Sequence, residues 1–185
     1  MVSRLALAHA SAALHAGGVV AYPTEGVWGL GCEPLDPKAF EQLIALKRRP
    51  LDKGVILVAA EFAQVQPFVG PVRASDLKKI LRSWPGPNTW ILPAAHGVPG
   101  YLTGGRGTLA VRVTAHPVAA DLCRAYGGAI VSTSANVSDH APARSALQVR
   151  RYFGNRLDAI VPGDTGGLSR PTPIRHWATG KLLRA

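Results

Sequence analysis

The sequence predicts an α/β fold, in which a sheet of mixed strand direction is covered by helices. Helical and strand patterns alternate along all 185 residues without a linker or an internal repeat, and such alternation is typical of a sheet layered with helices. Residues 55–59 form a continuous apolar run, which indicates a strand buried on both faces. Residues 174–177 and 181–184 fit a hairpin around Gly180, so antiparallel pairs are expected as well. We therefore expect one domain over residues 1–185.

Local signals predict the individual elements in order. Gly17 ends the first helix, and Asp36, Ser75 and Ser145 are suitable N-cap residues for three later helices. Residues 23–34 are predicted to form a glycine-rich loop. The predicted helices cover residues 3–16, 36–48, 75–84, 116–126 and 145–153. The predicted strands before the closing hairpin cover residues 19–22, 55–59, 89–92, 108–113, 130–132 and 159–161.

Composition limits the classes of function. With 47% hydrophobic and 17% charged residues, the chain is globular and not disordered. Lys and Arg number 21 against 11 Asp and Glu, a net charge of +10, which suits a nucleotide, RNA or an acidic membrane, although a basic protein without such a partner has the same composition. Cys32 and Cys123 are too few for a disulfide framework and lack metal-ligand spacing. No stretch approaches the roughly 18 apolar residues of a membrane span.

A lysine on the apolar face of the second helix is the first candidate site residue. Phe40, Leu43 and Ile44 form the apolar stripe of this helix, and one turn further on the stripe reaches Lys47. Arg49 follows just past the helix end. Burial of a cation in the core costs free energy unless an anion contacts it. Because the sequence offers no carboxylate run nearby, the pattern favours a bound anion, and phosphate is the anion we expect.

The strand at residues 108–113 carries an arginine where a buried strand carries apolar residues. Thr108 and Arg112 share one face of this strand because side chains alternate between the faces. Arginine grips a carboxylate or a phosphate with two parallel hydrogen bonds. The alternative is an edge strand whose outer face is exposed to water.

The next candidate residues follow the strand at residues 130–132. If the chain stays extended there, Ser132, Ser134 and Asn136 project to one side, as suits a ligand crevice at the end of a strand. A turn in which these side chains bond their own backbone fits the sequence equally well.

The predicted loop at residues 23–34 contains Gly26, Gly29 and Gly31, which allow close approach of the backbone to a ligand. Thr24 and Glu25 stand where the preceding strand ends. The glycine spacing fits neither a Walker loop nor a dinucleotide fingerprint. A nucleotide would therefore be held by side chains from several elements.

Six segments, in this order, resemble the YrdC/TsaC family, the threonylcarbamoyl-AMP synthases. They are AYPTEGVWGLGCEP, ALKRRPLDKGVILVA, WPGPNTWILPA, LAVRVTAHP, VSTSANVS and VPGDTGGLSRPTPIR. Together they span residues 21–175, and the chain length is that of the short, single-domain bacterial form. The resemblance implies a twisted, open α/β sheet around a large basic cavity.

The resemblance also implies an activity and its partners. The expected reaction joins L-threonine, bicarbonate or CO₂, and ATP into threonylcarbamoyl-AMP and pyrophosphate. Mg²⁺ is expected to be held by ATP and water, without a protein metal site. A downstream transferase complex then passes the group to the tRNA adenosine beside the anticodon. The protein is expected to be cytoplasmic and to bind no membrane.

Matching motif positions imply the roles of individual residues. The residues expected at the nucleotide are Lys47, Arg49, Lys53, Thr108, Ser134, Asn136 and Arg184, with Lys47 and Arg49 acting in catalysis. The residues expected at threonine are Thr24, Arg112, Ser132 and Thr172. Glu25 is a candidate general base, although the reaction does not require one. The chain departs from the family pattern at Gly26, where many relatives have threonine. It departs again at Lys53-Gly54, where many relatives have Asn-Pro or Lys-Pro, and at residues 171–174, where Pro-Thr-Pro-Ile replaces Ser-Thr-Val/Ile.

Two other functions are consistent with parts of the sequence. One is a non-catalytic module that binds double-stranded RNA or tRNA through its basic surface. The other is a carbamoyl-transfer domain related to a hydrogenase-maturation protein, which would use carbamoyl phosphate. Aromatic residues make up only 6% of the chain and show no spacing typical of a base-stacking platform, which favours the enzyme over the RNA module.

Overall fold

The computed structural model describes residues 2–184, in which nine strands form one sheet in the order β7-β1-β2-β6-β3-β5-β4-β8-β9. The strands are β1 Val20–Pro23, β2 Trp28–Gly31, β3 Ile56–Ala59, β4 Thr89–Pro93, β5 Thr108–Val113, β6 Ile130–Ser134, β7 Ala159–Ile160, β8 Ile174–His176 and β9 Leu182–Arg184. The α-helices are α1 Arg4–His15, α2 Pro37–Lys47, α3 Phe62–Val65, α4 Ala74–Leu81, α5 Gly100–Thr103, α6 Pro117–Tyr126 and α7 Ala146–Phe153. Single 3₁₀ turns cover Leu51–Lys53 and Gln66–Phe68.

The predicted mixed, open α/β sheet is confirmed. Parallel pairs join β1 to β7, β3 to β5 and β4 to β8, and the remaining neighbours are antiparallel. The closing hairpin is β8–β9, with Gly180 in the left-handed region between them. Asp36 and Ser145 cap α2 and α7 through their side chains, as predicted.

Two predicted local features are wrong. Part of the predicted loop at residues 23–34 is strand β2, which pairs with both β1 and β6. The glycines of β2 led to the loop prediction, because glycine has low strand propensity. A Cβ at Gly31 would lie 2.6 Å from the Val131 carbonyl oxygen, so the glycine lets β2 pass close to β6. Ser75 lies inside the first turn of α4, which begins at Ala74, and is therefore not its N-cap residue.

Helices bury both faces of the sheet. On one face, α2 and α7 contribute Phe40, Leu43 and Phe153 to a core shared with several strands. On the other face, α1 and α6 contribute Leu14 and Leu122 to a second core. Burial of each large apolar side chain contributes roughly 1.5–3 kcal/mol to stability. None of the helices within residues 2–184 is long and apolar enough to cross a membrane.

The second face positions the candidate site, because α1 and α6 cover only part of it. Val58 lies in the core under these helices and pairs with Arg112 of β5. Two residues earlier on the same strand, Ile56 pairs with Ala110 of β5 and with Ser132 of β6. Side chains two residues apart on a strand share a face. Ile56, Ala110 and Ser132 therefore lie on the same face of the sheet as Val58, but beyond the part that α1 and α6 cover. There they line a cavity.

Candidate active site

The cavity has a volume of about 390 Å³, and its wall carries five cationic side chains and no acidic one. The cations are Arg49, Lys53, Arg106, Arg112 and Arg184. Hydroxyl groups of serine and threonine and a few apolar side chains complete the wall. This arrangement confirms the basic cavity that the family resemblance implies. Cations from three stretches of the chain, residues 49–53, 106–112 and 184, converge on one space, as binding of a multiply charged anion requires.

Most of the predicted site residues lie in this wall. They are Thr24, Arg49, Lys53, Thr108, Arg112, Ser132, Ser134, Thr172 and Arg184. Lys47 and Asn136 lie behind it. The sequence analysis missed Arg106, which lies in an exposed turn just before β5. A usable signal was present, because Arg106 follows Gly104 and Gly105, both at positive φ, and so stands in a tight turn that approaches the site.

Lys47 is buried, with 1% of its surface exposed, as the helix pattern predicted. Its Nζ donates hydrogen bonds to the carbonyl oxygens of Ser134 and Asn136, the latter at 2.8 Å, and to Asn136 Oδ1 at 3.4 Å. In return, the Lys47 carbonyl oxygen accepts a hydrogen bond from the amide of Ser138 at 2.8 Å. The inward cation therefore meets three protein oxygens. Its contact with phosphate stays a prediction.

Burial, reinforced by the nearby charge of Arg49, lowers the pKa of Lys47 to about 7. The three oxygen contacts act in the opposite direction, because they match the three N–H donors of an ammonium group. The lowered pKa shows that these contacts offset only part of the free-energy cost of burying the charge.

The end of β6 combines the two alternatives that the sequence left open. Ser132 and Ser134 belong to the strand and line the cavity. Beyond the strand the chain turns, and Asn136 Nδ2 donates to the carbonyl oxygens of Val137 and His140 at 2.9 and 2.8 Å. The crevice prediction is thus confirmed for the two serines, whereas Asn136 bonds its own turn.

Arg49 enters the cavity because the chain reverses at the end of α2. Arg48 adopts a left-handed conformation, with φ of 50°, and caps the helix. Arg49 Nη2 donates to the Gly54 carbonyl oxygen at 3.0 Å, while its buried Nε has no hydrogen-bond partner in the protein. Burial lowers the pKa of Arg49 from its ordinary value. The cavity therefore contains an incompletely satisfied guanidinium group.

Arg184 reaches the same space from the edge strand β9, and its Nη2 donates to the Thr172 carbonyl oxygen at 2.8 Å. Partial burial lowers the pKa of Arg184, and the charges of Arg112 and Arg49 lower it further. Positive charges this close together disfavour one another's protonated forms. An anion in the cavity would relieve that repulsion.

Arg112 lies on a central strand, so the edge-strand alternative is wrong. Its Nη1 donates to Thr172 Oγ1 at 2.6 Å, and its Nη2 lies 3.6 Å from Glu25 Oε2. Its Nε is buried without a partner. Thr114 Oγ1 and the amide of Ala115 both donate to Glu25 Oε1, at 2.7 and 3.2 Å. Glu25 is therefore fixed behind the cavity wall, where it orients Arg112. This position does not suit the general base that the sequence suggested.

Comparison with known proteins identifies the family of this chain. The Sua5/YciO/YrdC family, described as "Telomere recombination", matches residues 12–185. The chain belongs to this family. A Halorhodospira halophila protein named threonylcarbamoyl-AMP synthase is 60% identical over 176 residues, which are 95% of this chain and 92% of that protein. An Alkalilimnicola ehrlichii protein of the same name is 54% identical, over 98% of this chain and 96% of that protein.

A solved structure shows the same fold in a longer protein. The crystal structure of P. abyssi Sua5 complexed with L-threonine matches 96% of this chain with a TM-score of 0.90 and 32% sequence identity. The match covers 53% of that protein, so the present chain spans about half of its length. The fold and the family that the six sequence segments implied are both confirmed.

Replacing Lys47 by methionine tests its role in holding the end of β6. Methionine keeps a similar volume but removes the donors, so the carbonyl groups of Ser134 and Asn136 lose their partner. We expect the free energy of unfolding at pH 7 to fall by about 1.5–3 kcal/mol, the range for hydrogen bonds to charged groups. Urea titration monitored by tryptophan fluorescence measures this. Lys38→Met, at an exposed position of the same helix, is the matched control, and equal stability of the two variants would contradict the assignment.

The lowered pKa of Lys47 also predicts a pH dependence. An unfolded lysine has a pKa of about 10.4, so between pH 7 and pH 10 the unfolded chain binds more protons than the folded chain. Stability contributed by this group therefore rises with pH across that window. We expect the stability difference between the parent protein and Lys47→Met to widen by roughly 1–3 kcal/mol from pH 7 to pH 9. A difference that stays constant would show that Lys47 keeps an ordinary pKa.

Proposed function

We propose that this protein is a threonylcarbamoyl-AMP synthase, which joins L-threonine, bicarbonate or CO₂, and ATP into threonylcarbamoyl-AMP and pyrophosphate. The observation that carries the proposal is the cavity, whose wall brings five cations together without an acid. The relatives at 60% and 54% identity bear this name and match nearly their whole length. The sequence resemblance leads to the same activity.

At one end of the cavity, the cations suit the phosphates of a nucleotide. Arg49 and Lys53 flank the turn that follows α2, and Arg184 reaches in from β9. Thr108 and Ser134 add hydroxyl groups to the same wall. Charge-assisted hydrogen bonds contribute roughly 1.5–3 kcal/mol each. Lys47 and Asn136 support this end through the turn after β6, and their direct contact with ATP remains to be tested.

At the other end, Arg112 suits the carboxylate of threonine. Its Nη1 is fixed by Thr172, and its Nη2 is steered by Glu25 at 3.6 Å, so the guanidinium plane is oriented before the substrate arrives. Ser132 and Thr24 line the wall nearby. The hydroxyl group of Thr24 already donates to the Val27 carbonyl oxygen at 2.7 Å, so its contribution to threonine binding is through shape and its remaining acceptor capacity.

In the proposed reaction, the amine of threonine captures CO₂ as a carbamate. A carbamate oxygen then attacks the α-phosphorus of ATP, a P–O bond forms, and pyrophosphate leaves with the electron pair of the broken bond. Alignment and charge neutralisation dominate such a transfer. The cationic wall supplies both, because it fixes the phosphates and faces the charge that develops on the leaving group.

We propose that Mg²⁺ enters with ATP as part of the substrate. The residues of the wall agree with this, since they offer hydroxyl groups and no carboxylate. Within residues 2–184, no group of three or more His, Cys, Asp or Glu side chains is placed to hold a metal ion. Bound to the phosphates, the ion would neutralise part of their charge.

The product determines the expected partner and compartment. Threonylcarbamoyl-AMP is a mixed anhydride of a carbamic and a phosphoric acid, and therefore an activated group donor. We propose that a cytoplasmic transferase complex consumes it and modifies the tRNA adenosine beside the anticodon. Direct binding of tRNA or double-stranded RNA to this chain is a separate prediction, based on the net charge of +10.

Mass spectrometry tests the proposed activity directly. Purified protein with ATP, L-threonine and bicarbonate should form threonylcarbamoyl-AMP and one pyrophosphate per product, and omission of any substrate should abolish both. Carbamoyl phosphate should not replace bicarbonate and threonine. Absence of product with all substrates present, combined with salt-dependent binding of RNA, would favour the non-catalytic RNA module.

Conservative arginine variants should separate the two ends of the cavity. Arg112→Lys keeps the charge but loses the two-pronged grip, so we expect the KM for threonine to rise about tenfold and the KM for ATP to change by less than about twofold. Arg49→Lys should show the reverse preference. Arg124→Lys, at an exposed salt bridge with Asp121, is the control. If Arg112→Lys affects ATP and threonine equally, the assignment of the two ends is wrong.

A further inference from the structure

The segment at residues 162–172, here called the strap, joins β7 to β8 and crosses the loop between β1 and β2. The amide of Gly166 donates to the Thr24 carbonyl oxygen, and the amide of Leu168 donates to the Glu25 carbonyl oxygen, both at 3.0 Å. A Cβ at Gly26 would lie 2.3 Å from the Arg170 carbonyl oxygen. The strap therefore lies directly on a loop that supplies Thr24 and Gly26 to the cavity wall.

The far end of the strap enters the proposed threonine site. Thr172 is 3% exposed, and its Oγ1 accepts the 2.6 Å hydrogen bond from Arg112. Thr89 Oγ1 lies 3.3 Å from the same oxygen, and Arg184 donates to the Thr172 carbonyl oxygen. Displacement of the strap would therefore release one restraint on Arg112 and one on Arg184.

Most of the strap has little packing to hold it in place. Its residues are exposed from 162 to 164 and again from 166 to 170, and Thr172 is its one buried side chain. Segments with few buried contacts and exposed backbone hydrogen bonds open locally at low free-energy cost. At the start of the strap, the buried His116 contacts the Asp164 carbonyl oxygen through Nε2 at 3.0 Å. The exposed residues from 166 to 170 therefore depend on restraints further along the strap.

Arg144 supplies such a restraint from outside the cavity wall. Its guanidinium group donates to the carbonyl oxygens of Leu168, at 3.4 Å, and of Ser169. Its backbone is fixed at the start of α7, where its amide donates to Gln148 Oε1 at 2.6 Å. The two carbonyl groups lie between the amide pairing at Gly166 and the buried end at Thr172. Arg144 therefore fastens the middle of the strap.

We propose that Arg144 is a positioning residue that holds the strap over the threonine end of the cavity, and thereby keeps Thr172 against Arg112. The proposal rests on the proposed function for its kinetic consequence, but its structural part does not depend on the activity. With the strap in place, Thr172 keeps its hydrogen bond with Arg112, and Arg112 stays aligned for the carboxylate. Arg144 itself does not touch the reacting atoms.

The kinetic test compares Arg144→Gln with Arg151→Gln, which removes an exposed arginine from α7. We expect Arg144→Gln to raise the KM for threonine roughly three- to tenfold. The KM for ATP should rise less, because the strap contacts Arg184 through the Thr172 carbonyl oxygen but leaves Arg49 and Lys53 in place. Arg144→Lys, which keeps a cationic donor, should restore part of the affinity. Equal changes in both KM values, or the same effect in Arg151→Gln, would overturn the proposal.

Amide hydrogen exchange tests the structural part separately. At 19.5 kDa the protein suits residue-resolved NMR. In Arg144→Gln, the amides of Gly166 and Leu168 should exchange about tenfold faster than in the parent protein, while core amides such as Val131 stay unchanged. Unchanged exchange at the strap, or uniform acceleration throughout the protein, would refute the fastening role. Because this readout needs no substrate, it separates failure of the strap proposal from failure of the proposed activity.

Discussion

The contact on which the site depends most is that of the Lys47 ammonium group with the end of β6. A buried cation without partners is destabilising, and here the carbonyl oxygens of Ser134 and Asn136 provide the partners. The contact is reciprocal, since the Lys47 carbonyl oxygen accepts from Ser138. It fixes the last turn of α2 against the strand whose serines line the cavity. The chain reversal at the end of α2 then directs Arg49 into the cavity. The buried ammonium group of Lys47 therefore positions both the β6 side and the Arg49 side of the cavity wall.

A second constraint is the excess of positive charge in the cavity. Burial lowers the pKa of Arg184, and the charges of Arg112 and Arg49 lower it further. Glu25, behind the wall, lies 3.6 Å from Arg112, and the charge of Asp52 acts in the opposite direction on the pKa of Arg49. This arrangement is less stable without a ligand than a neutral cavity would be, and the cost is recovered when an anion binds. Such preorganisation suits catalysis of phosphate chemistry, because the charges need not be assembled during the reaction. The same excess explains why two of these guanidinium groups retain a buried, unpaired Nε.

Periodicity alone located the central charges of the site. The helix period placed Lys47 in the core, and the strand alternation placed Arg112 on the face of Thr108, because burial imposes both periods directly. Strand β2 was not predictable in this way, since its glycines are required by the close approach of Val131, which is a tertiary contact. Arg106 was not predicted, because the residues of an exposed turn show no periodic pattern of apolar side chains. The partner of Lys47 was also beyond sequence reasoning, since backbone carbonyl groups some 90 residues away leave no sign in the local composition.

Two of the departures from the family pattern, Gly26 and the segment at residues 171–174, lie against each other in the structure. A side chain at position 26 would overlap the Arg170 carbonyl oxygen, 2.3 Å from the position of its Cβ. Gly26 and the present path of the strap toward Thr172 therefore require each other. Thr172, which the family pattern also has, lines the same wall and holds Arg112 through its hydroxyl group. The positions of Thr172 and, through it, of Arg112 thus depend on the path of the strap past Gly26.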